Sequence, residues 1–567
     1  MPRLGALLLT WPWGLLACCW ALALGCSADP EATAKGPTPT SSVVREVMPL
    51  SAPSSGGSIQ WPKAFATLPT CVTLLDADAI PALAKAEGAL RLEPSGHATP
   101  IGEVESIDVQ VVDAAGKPDT SSSGPLKLQL GPGLTLVDAP ALHDGHATLL
   151  VRVGAAGPAT LTVTAPASTA GAAGEGATVT LRGYTSHLPR LHLEVAPADL
   201  KALLADPHVE LWVPATLREV VGDQDTTHPA RLHLHGGSSR EFGKKSFRVE
   251  LLQGHRLLDG RWRAILRAEF VDKSQLRNWL SLDLLRSATW LPASRARHVH
   301  LRLNHAYWGV MLDVERVDAD FLQRSGLERN GSLYEGDPPL ELANPGANFA
   351  PLPSLDIYRA VYVRHGGPWQ HDDLLVLIAD VLQRSDEALA KDIDKILAVD
   401  DVLVYWAMMV AIQNADMVRK NFYLYRGVDG SDQRWRFLAW DMDLTWGHLW
   451  SEENDIFEEA IFSDEPLWIG KNTGGPFYNH LMDRLWKLPQ WRARYLFVLR
   501  QLVKSTFDPE LLVPRIDAMA CHIAPDVLAD RRKRASNAEW PQRVQEIRDF
   551  VVARRLALQT MLDEDTP

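Results

Sequence analysis

A glycine-serine loop between two predicted strands has the residue types that bind phosphate. Glycine lets the backbone approach a ligand closely, serine adds hydroxyl donors, and arginine adds charge. The loop residues are Gly236, Gly237, Ser238, Ser239 and Arg240. Lys244 and Lys245 open the second strand, where a lysine side chain can reach phosphate oxygens. The pattern also fits an ordinary hairpin with a basic rim, and spacing alone does not separate the two interpretations.

A second candidate element is an aspartate followed five residues later by an asparagine, Asp416 and Asn421. This D-x-x-x-x-N spacing is that of the protein-kinase catalytic loop, where the aspartate orients or deprotonates the substrate hydroxyl and the asparagine binds magnesium. The alternative is that both residues cap a turn after a helix predicted over 401–413.

Two further carboxylates, Asp441 and Asp443, follow a short predicted strand over Phe437–Trp440. Oxygen ligands of this kind suit magnesium, which takes few carboxylates and keeps water and phosphate as its other ligands. We expect the two side chains to point to opposite faces of the strand, so that one aspartate alone is a ligand. A polar strand end with salt bridges is the alternative.

A kinase-like site also needs a carboxylate to hold the lysine of the phosphate loop. Glu315, at the end of a strand predicted near Tyr307, is the candidate for this role. A surface carboxylate at a strand end is an equally good interpretation. The elements follow one another along the chain in the order that kinases use.

Several motifs together resemble the CotH family, the atypical kinases of spore coats, over residues 188 to 562. The motifs are Gly236–Arg240 with Lys244–Arg248, Asp272–Asn278, Tyr307–Glu315, Gly331–Gly336, Asn414–Asn421 and Trp440–Asp443. The resemblance implies a distant kinase-like fold that binds ATP and Mg²⁺ (or Mn²⁺) and phosphorylates serine or threonine of a partner protein.

By motif position, the resemblance also implies a role for each candidate residue. Asp416 is the implied catalytic aspartate. Asn421 and Asp441 are the implied metal ligands, with Asp443 as a further candidate. Lys244 or Lys245 is implied to contact phosphate. The family's loop commonly opens with arginine, but here His235 stands in that place. Histidine is only partly charged near neutral pH, which predicts weaker phosphate binding.

The chain is predicted to be an α+β protein of two modules. The first, over 59–186, is an immunoglobulin-like β-sandwich, because short runs of period-two character recur at roughly ten-residue intervals. These runs are Ile107–Val112, Leu126–Leu130, Ala147–Val153 and Ala159–Thr164. The second, over 187–562, is the kinase-like domain with a helical C-terminal part, ending in a helix predicted over Val544–Leu562.

The first 26 residues read as a secretory signal, with Arg3 before an apolar run. Ala23–Cys26 resembles a bacterial lipobox in which Cys26 is lipidated, although the usual leucine stands one place off at Leu22. Residues 27–58 are rich in small and polar types and are predicted to be a disordered tether. We therefore expect an exported cell-envelope protein that meets the membrane through its lipid, or otherwise a secreted one.

Net charge and cysteine content restrict the function further. A net charge of −13 argues against a broad nucleic-acid surface. Outside the signal region, the cysteines are Cys71 and Cys521, which lie in different modules; the sequence does not determine whether they pair.

Three functions remain open from the sequence. The first is an exported Mg-ATP kinase acting on a protein substrate. The second is a non-catalytic surface adhesion or binding lipoprotein on a kinase-like scaffold, which the scarcity of ATP outside the cytoplasm favours. The third is a different magnesium-dependent phosphate enzyme on the same site. The protein substrate and the oligomeric state are not indicated.

Overall fold

The computed structural model describes residues 90–564, apart from 114, 167–175, 340–341, 344–345, 415, 430–431, 451–455 and 459–477. The predicted signal peptide (1–26), tether (27–58) and first part of the sandwich (59–89) lie outside these described residues. Among the residues that are described, no helix combines the length and the apolar character needed to cross a bilayer.

Residues 90–184, the two-sheet module, form two four-stranded sheets that share one hydrophobic cluster. Its strands are β1 (Leu90–Pro94), β2 (Thr99–Pro100), β3 (Val104–Val111), β4 (Lys127–Leu130), β5 (Leu134–Asp138), β6 (His146–Val153), β7 (Gly157–Thr164) and β8 (Gly176–Tyr184). The strand orders are β1-β3-β6-β5 and β2-β8-β7-β4. The four predicted runs correspond to β3, β4, β6 and β7, whereas the immunoglobulin-like class of the module remains a prediction.

A closed seven-stranded barrel follows, in the order β10-β11-β12-β13-β15-β14-β9. Its strands are β9 (Arg190–Glu194), β10 (Val213–Val221), β11 (Gln224–His235), β12 (Ser246–Leu251), β13 (Arg263–Arg267), β14 (Ala296–Leu303) and β15 (Ala306–Val314), with α1 (Pro197–Ala205) after β9 and α2 (Arg277–Ala288) after β13. Leu234, Phe247 and Leu266 belong to the barrel's apolar core. Side chains alternate across a strand, so the residues between these face outward.

A second, four-stranded sheet and most of the helices form the rest of the domain. The sheet has the order β17-β16-β18-β19. These strands are β16 (Ser332–Gly336), β17 (Tyr362–Gly366), β18 (Phe422–Arg426) and β19 (Arg436–Ala439), and a small hairpin pairs β20 (His448–Trp450) with β21 (Ile456–Glu458). The helices are α3 (Ala319–Arg324), α4 (Leu355–Val361), α5 (Asp372–Gln383), α6 (Asp386–Ile396), α7 (Val399–Ala411), α8 (His480–Lys487), α9 (Pro489–Ser505), α10 (Pro509–Ala529) and α11 (Trp540–Glu564).

The main core surrounds α7, which is apolar over most of its circumference. A helix of this kind must be buried on all sides, and α9, α11 and β19 pack against it. In α11 the predicted apolar face is buried: Val544, Ile547, Val551 and Leu558 are each at most 2% exposed. The mixed helix and sheet content confirms the α+β class.

The two-sheet module rests directly on the barrel and on the C-terminal end of α10. His97 N donates to Ala529 O at 2.8 Å. Tyr184 Oη donates to Asp526 Oδ1 at 2.7 Å, and Arg302 of β14 donates to Val104 O at 2.6 Å. Backbone and buried side-chain bonds therefore join the two modules. Cys521 on α10 is disulfide-bonded, and the other cysteines of the chain lie outside the described residues.

Candidate active site

Asp416, Lys420 and Asn421 meet in the turn between α7 and β18. Asn421 Nδ2 donates to Asp416 Oδ2 at 3.2 Å, and Lys420 Nζ lies 3.1 Å from the same oxygen. Asn421 adopts a left-handed conformation, with φ 62°, and its backbone N–H bonds to Gly336 O at 2.9 Å. The tight turn therefore brings the predicted aspartate and asparagine into contact.

The second acidic segment, Asp441 to Asp443, follows β19 and places both carboxylates on one guanidinium. Arg267 Nη2 of β13 lies 2.5 Å from Asp441 Oδ1 and 3.3 Å from Asp443 Oδ2. The expectation that the two aspartates point to opposite faces is wrong, because residues two positions apart share a face even in an ideal strand. In addition, β19 already ends at Ala439, and Asp441 is left-handed, with φ 52°.

Buried polar contacts fix the two acidic segments relative to each other. Asn414 Oδ1 accepts a bond from Met417 N at 3.3 Å, and its Nδ2 lies 3.1 Å from the sulfur of Met442. Met442 N in turn donates to Asn278 Oδ1 of α2 at 3.3 Å. The Asp416 turn, the Asp441 segment and α2 therefore form one connected frame.

Arg267 is held by a third carboxylate, Glu269. Arg267 Nε donates to Glu269 Oε1 at 3.0 Å, and Asn278 Nδ2 donates to the same oxygen at 3.1 Å. Burial alone would lower the pKa of Arg267, but Asp441, Glu269 and Asp443 outweigh it and raise that pKa. The guanidinium is thus a permanent cation at the centre of three acids.

The acid pair has opposite pKa shifts. Burial and the neighbouring Asp441 charge raise the pKa of Asp443 well above its usual range. Burial also acts to raise the pKa of Asp441, but Arg267 and Lys420 outweigh it and lower that pKa. Asp441 therefore loses its proton at a lower pH than Asp443 does. The Asp441 side chain keeps 28% of its surface exposed, so a ligand can approach it.

Asp337, just after β16, adds an acid at the exposed rim of this centre. Local burial of its carboxyl, with the charges of Glu335 and Asp441, raises the pKa of Asp337 to about 6. The residue as a whole is exposed, so water weakens this shift. Lys420 acts on Asp416, Asp441 and Asp337, and its own pKa is raised, by Asp416 above all. Asp416, Asp441 and Asp337 therefore share one cation.

The glycine-serine loop forms the predicted strand-loop-strand unit between β11 and β12. Gly236 has φ 103°, and a Cβ there would lie 2.0 Å from Ser239 Oγ, so the turn requires glycine. Ser238–Glu241 form one turn of 3₁₀ helix. The Lys245 ammonium donates to Arg240 O, and the Arg240 guanidinium lies 2.6 Å from Glu210 Oε1. Lys245 therefore stabilises the conformation of the loop.

Two predicted residues have partners other than those expected. The Lys244 ammonium is fully buried, 2.8 Å from Asp530 Oδ2 and 2.6 Å from Val310 O, so it is enclosed away from the loop in this arrangement. The prediction that Glu315 holds a lysine of the loop is wrong, because Arg295 and Arg324 occupy its carboxylate at 3.0 and 2.8 Å.

Five residues of the site were not predicted from the sequence: two cations, two acids and an asparagine that links the segments. The missed residues are Arg267, Glu269, Asn278, Asp337 and Lys420. Asn278 and Lys420 lie inside motifs already noted, but only as parts of a resemblance. The outward direction of Arg267 could have been predicted from the sequence. It ends a short strand in which Ala264 and Leu266 face the core, so its own side chain lies on the opposite face.

Residues 232–558, more than half of the chain, match the family model described as "CotH kinase protein". This protein belongs to the CotH kinase protein family. Over 359 residues the chain is 28% identical to "Inner spore coat protein H" of Bacillus subtilis (strain 168), covering 62% of this chain and 90% of that protein.

The CotH match begins inside β11, just before the departure noted at His235. His235 is half-buried at the mouth of the glycine loop. Burial, together with the positive charges of Arg267 and Arg248, lowers its pKa to about 3. This CotH chain therefore has a neutral side chain at this position, with Arg267 and Arg248 as cations nearby.

The donor set of this CotH chain fits a divalent cation in its chemistry. Asp441 and Asp443 offer carboxylate oxygens, and Asn421, in the neighbouring Asp416 turn, offers an amide oxygen; magnesium prefers oxygen ligands of these kinds. In the part of the chain that the structure describes, no three histidine, cysteine, aspartate or glutamate side chains already form a closed metal cage. Magnesium that keeps waters and phosphate oxygens needs no such cage.

Proposed function

We propose that this chain is an exported atypical kinase that binds Mg-ATP and transfers the γ-phosphoryl group to serine or threonine of a partner protein. The observation that carries the proposal is the convergence of Asp416 with Asn421 and of Asp441 with Asp443 around Lys420 and Arg267. A phosphotransfer site needs acids that hold a metal, an acid that orients the acceptor hydroxyl and cations that face phosphate. The three aspartates and the two cations supply these parts.

Asp416 is the residue that orients the acceptor hydroxyl and accepts its proton. It keeps 18% of its side chain exposed, and Asn421 and Lys420 both hold Oδ2. A carboxylate fixed in this way loses little further freedom when a hydroxyl approaches, which is how positioning lowers the barrier.

Asp441 and Asp443, with Asn421, are the residues that would hold the metal. A bound Mg²⁺ neutralises the charge of the phosphate oxygens in transfer. Arg267 already neutralises the acid pair and faces the same place, so phosphate oxygens near the acids also meet its guanidinium.

The glycine loop supplies further donors for phosphate. Gly237 and Ser238 are exposed at its tip, whereas Lys245 supports it through Arg240 O. Backbone N–H groups and hydroxyls of such a loop bind anions without any lysine in direct contact. Lys244, paired with Asp530, supports the loop by anchoring the start of β12.

We also propose export to the cell envelope. The signal-like first 26 residues and the lipobox around Cys26 support this. The B. subtilis relative is described by name as an inner spore coat protein. The two-sheet module is then presented outside the cytoplasm together with the kinase domain.

The proposal is tested by incubating the purified full chain with labelled ATP, Mg²⁺ or Mn²⁺ and a generic protein substrate. Asp416→Ala and Asp441→Ala should abolish label transfer. Asp356→Ala, on the exposed start of α4, is the matched control and should retain it. Equal transfer by all four proteins would identify a contaminating kinase, and no transfer by any of them favours the non-catalytic adhesion function.

A further inference from the structure

Three arginines gather on the outer face of the barrel, beside the candidate active site. Arg248 of β12 and Arg263 of β13 both face outward, and Arg316 follows the end of β15. Arg316 lowers the pKa of both Arg248 and Arg263, after the larger effect of burial. The three guanidinium groups, named here the arginine cluster, therefore repel one another.

The carboxylates near the arginine cluster are already engaged. Arg231 Nε donates to Glu250 Oε2 at 2.9 Å. Asp318 caps α3 by accepting from the backbone of Asp320 and Phe321, and it lies 3.5 Å from Arg263 Nε, too far for a well-formed bond.

The arginine cluster retains unused hydrogen-bonding capacity. The buried Nε atoms of Arg248 and Arg263 have no hydrogen-bond partner among the residues that the structure describes. The one hydrogen bond of Arg316 to another described side chain is a long one, 3.4 Å to His365 Nδ1. Positive charge and unsatisfied donors thus occur together.

A cavity of about 210 Å³ opens between β13, the segment after β15 and β17. Arg263, Arg316 and Arg329 line it, with Trp262 and His365. Two carboxylates line it as well: Asp318, which caps α3, and Asp320, which contacts Arg329. The Arg263 guanidinium stacks on the Trp262 ring, 3.6 Å from its centroid, which fixes the direction of its remaining donors. Two arginines held at one concave surface match the geometry of a phosphate or carboxylate group.

The cavity adjoins the acidic centre rather than lying elsewhere on the domain. His365 Nε2 lies 2.6 Å from Glu335 Oε2, and Glu335 precedes Asp337 by two residues. Asp337 acts electrostatically on the Asp441 side of the site. His365 of the cavity and Asp441 of the acidic centre both act on the Asp337 carboxyl, so the two places adjoin the same residue.

We propose that Arg263 and Arg316, supported by the charge of Arg248, bind an acidic group on the acceptor polypeptide, a phosphate or carboxylate located a few residues from the hydroxyl that receives phosphate. This inference rests on the proposed kinase function and specifies its substrate class: an acidic or already phosphorylated segment. The net charge of −13 makes such a patch selective, because the remaining surface repels an acidic peptide.

The test is a calorimetric binding titration of the full chain with matched serine peptides. One peptide series carries phosphoserine at successive distances from the acceptor serine, a second carries aspartate there, and a third carries alanine. We expect the acidic peptides to bind about ten-fold more tightly than the alanine peptide, as charge-assisted bonds to two arginines require. Binding does not need turnover, so the result stands even if no phosphate is transferred.

Arg263→Gln and Arg316→Gln should each remove most of this preference. Arg316→Lys, which retains the charge without the planar fork, should keep part of the preference for acidic peptides. That result would show that the loss in Arg316→Gln does not come from misfolding. Arg359→Gln, on exposed α4, is the matched control. Equal binding of acidic and alanine peptides would overturn the proposal. So would a loss of ATP affinity in the glutamine variants with unchanged peptide preference, which would assign the arginine cluster to the nucleotide.

Discussion

Arg267 and Asp441 form a 2.5 Å contact between the barrel and the segment after β19, across 174 residues of chain. We expect Arg267→Met to leave Asp441, Asp443 and Glu269 without their shared cation. Breaking a buried pair costs about 3–5 kcal/mol, and the cost here should be smaller because Asp441 is 28% exposed. Urea unfolding at pH 7 measures it.

The double variant Arg267→Met/Asp441→Asn provides the matching control, because it removes the charge from both sides of the contact. Its loss of stability should be clearly smaller than the sum of the two single losses. Strict additivity would mean that the two residues do not interact in solution.

Asp416→Asn should remove the proton acceptor while preserving the shape of the turn. We expect phosphate transfer to fall by about 10²–10⁴-fold, the usual contribution of a positioned acid or base, with little change in the KM for ATP. Initial rates with Asp356→Asn as the exposed control measure it. A rate within two-fold of the parent would exclude Asp416 from the chemistry.

His235 predicts a pH dependence of stability. Its folded pKa, lowered to about 3, lies below its ordinary value of 6.5, so the unfolded chain takes up a proton first as the pH falls. Above pH 6.5 His235 is neutral in both states and does not lower the stability. As the pH falls from 6.5 to 3, the free energy of unfolding decreases because of His235, by up to about 1.4 kcal/mol per pH unit.

His235→Gln should show a shallower loss of stability than the parent between pH 6.5 and pH 4 in urea unfolding. The exposed His143, replaced in the same way, is the control and should change the slope little. Identical slopes for the parent and His235→Gln would show that this histidine is solvated rather than buried.

Lys244→Met should act on folding rather than on ATP binding. The variant removes the ion-pair partner of the buried Asp530, whose carboxylate then keeps only backbone N–H donors within the described part of the chain, at a cost of up to about 3–5 kcal/mol. Lys245→Met, whose ammonium contacts only the loop carbonyl of Arg240 among the described residues, should cost less and instead raise the KM for ATP. Thermal unfolding with ATP titration separates the two lysines, and an unchanged melting temperature for Lys244→Met would contradict the structural role.

Gly236→Ala should distort the phosphate loop. Its φ of 103° and the 2.0 Å approach of a Cβ to Ser239 Oγ predict a cost of about 1–3 kcal/mol and weaker nucleotide binding. Gly243→Ala, where a Cβ meets nothing within 4 Å, is the matched control. Equal nucleotide affinity for both variants would remove the loop from the binding site.

Local patterns predicted the elements well, because strand alternation and helical periodicity reflect which face is buried. The β19 strand and the face of α11 that carries Val544 follow from such patterns. The contact between Asp416 and Asn421 also came from short-range spacing. By contrast, the Lys244 pairing with Asp530 spans 286 residues, and spacing along the chain contains no information about it.

The opposite-face expectation for Asp441 and Asp443 failed for a different reason. Residues two positions apart share a face of a strand, so the expectation misapplied the alternation. In the structure the chain has already left β19, Asp441 is left-handed, and both carboxylates contact Arg267. Asn421 and Glu269 are left-handed as well, with φ 62° and 46°. Unusual backbone conformations cluster at functional sites, where surrounding packing rather than local propensity maintains them.

The contact between the two-sheet module and α10 has a mechanical consequence. His97 bonds to Ala529 O, and the next residue, Asp530, holds the buried Lys244 at the start of β12. Tension on the amino-terminal sheets is therefore transmitted over a few bonds to the strand that begins beneath the glycine loop. If the proposed amino-terminal anchor and nucleotide loop are both real, a pulling force on the anchor would reach that loop by this route.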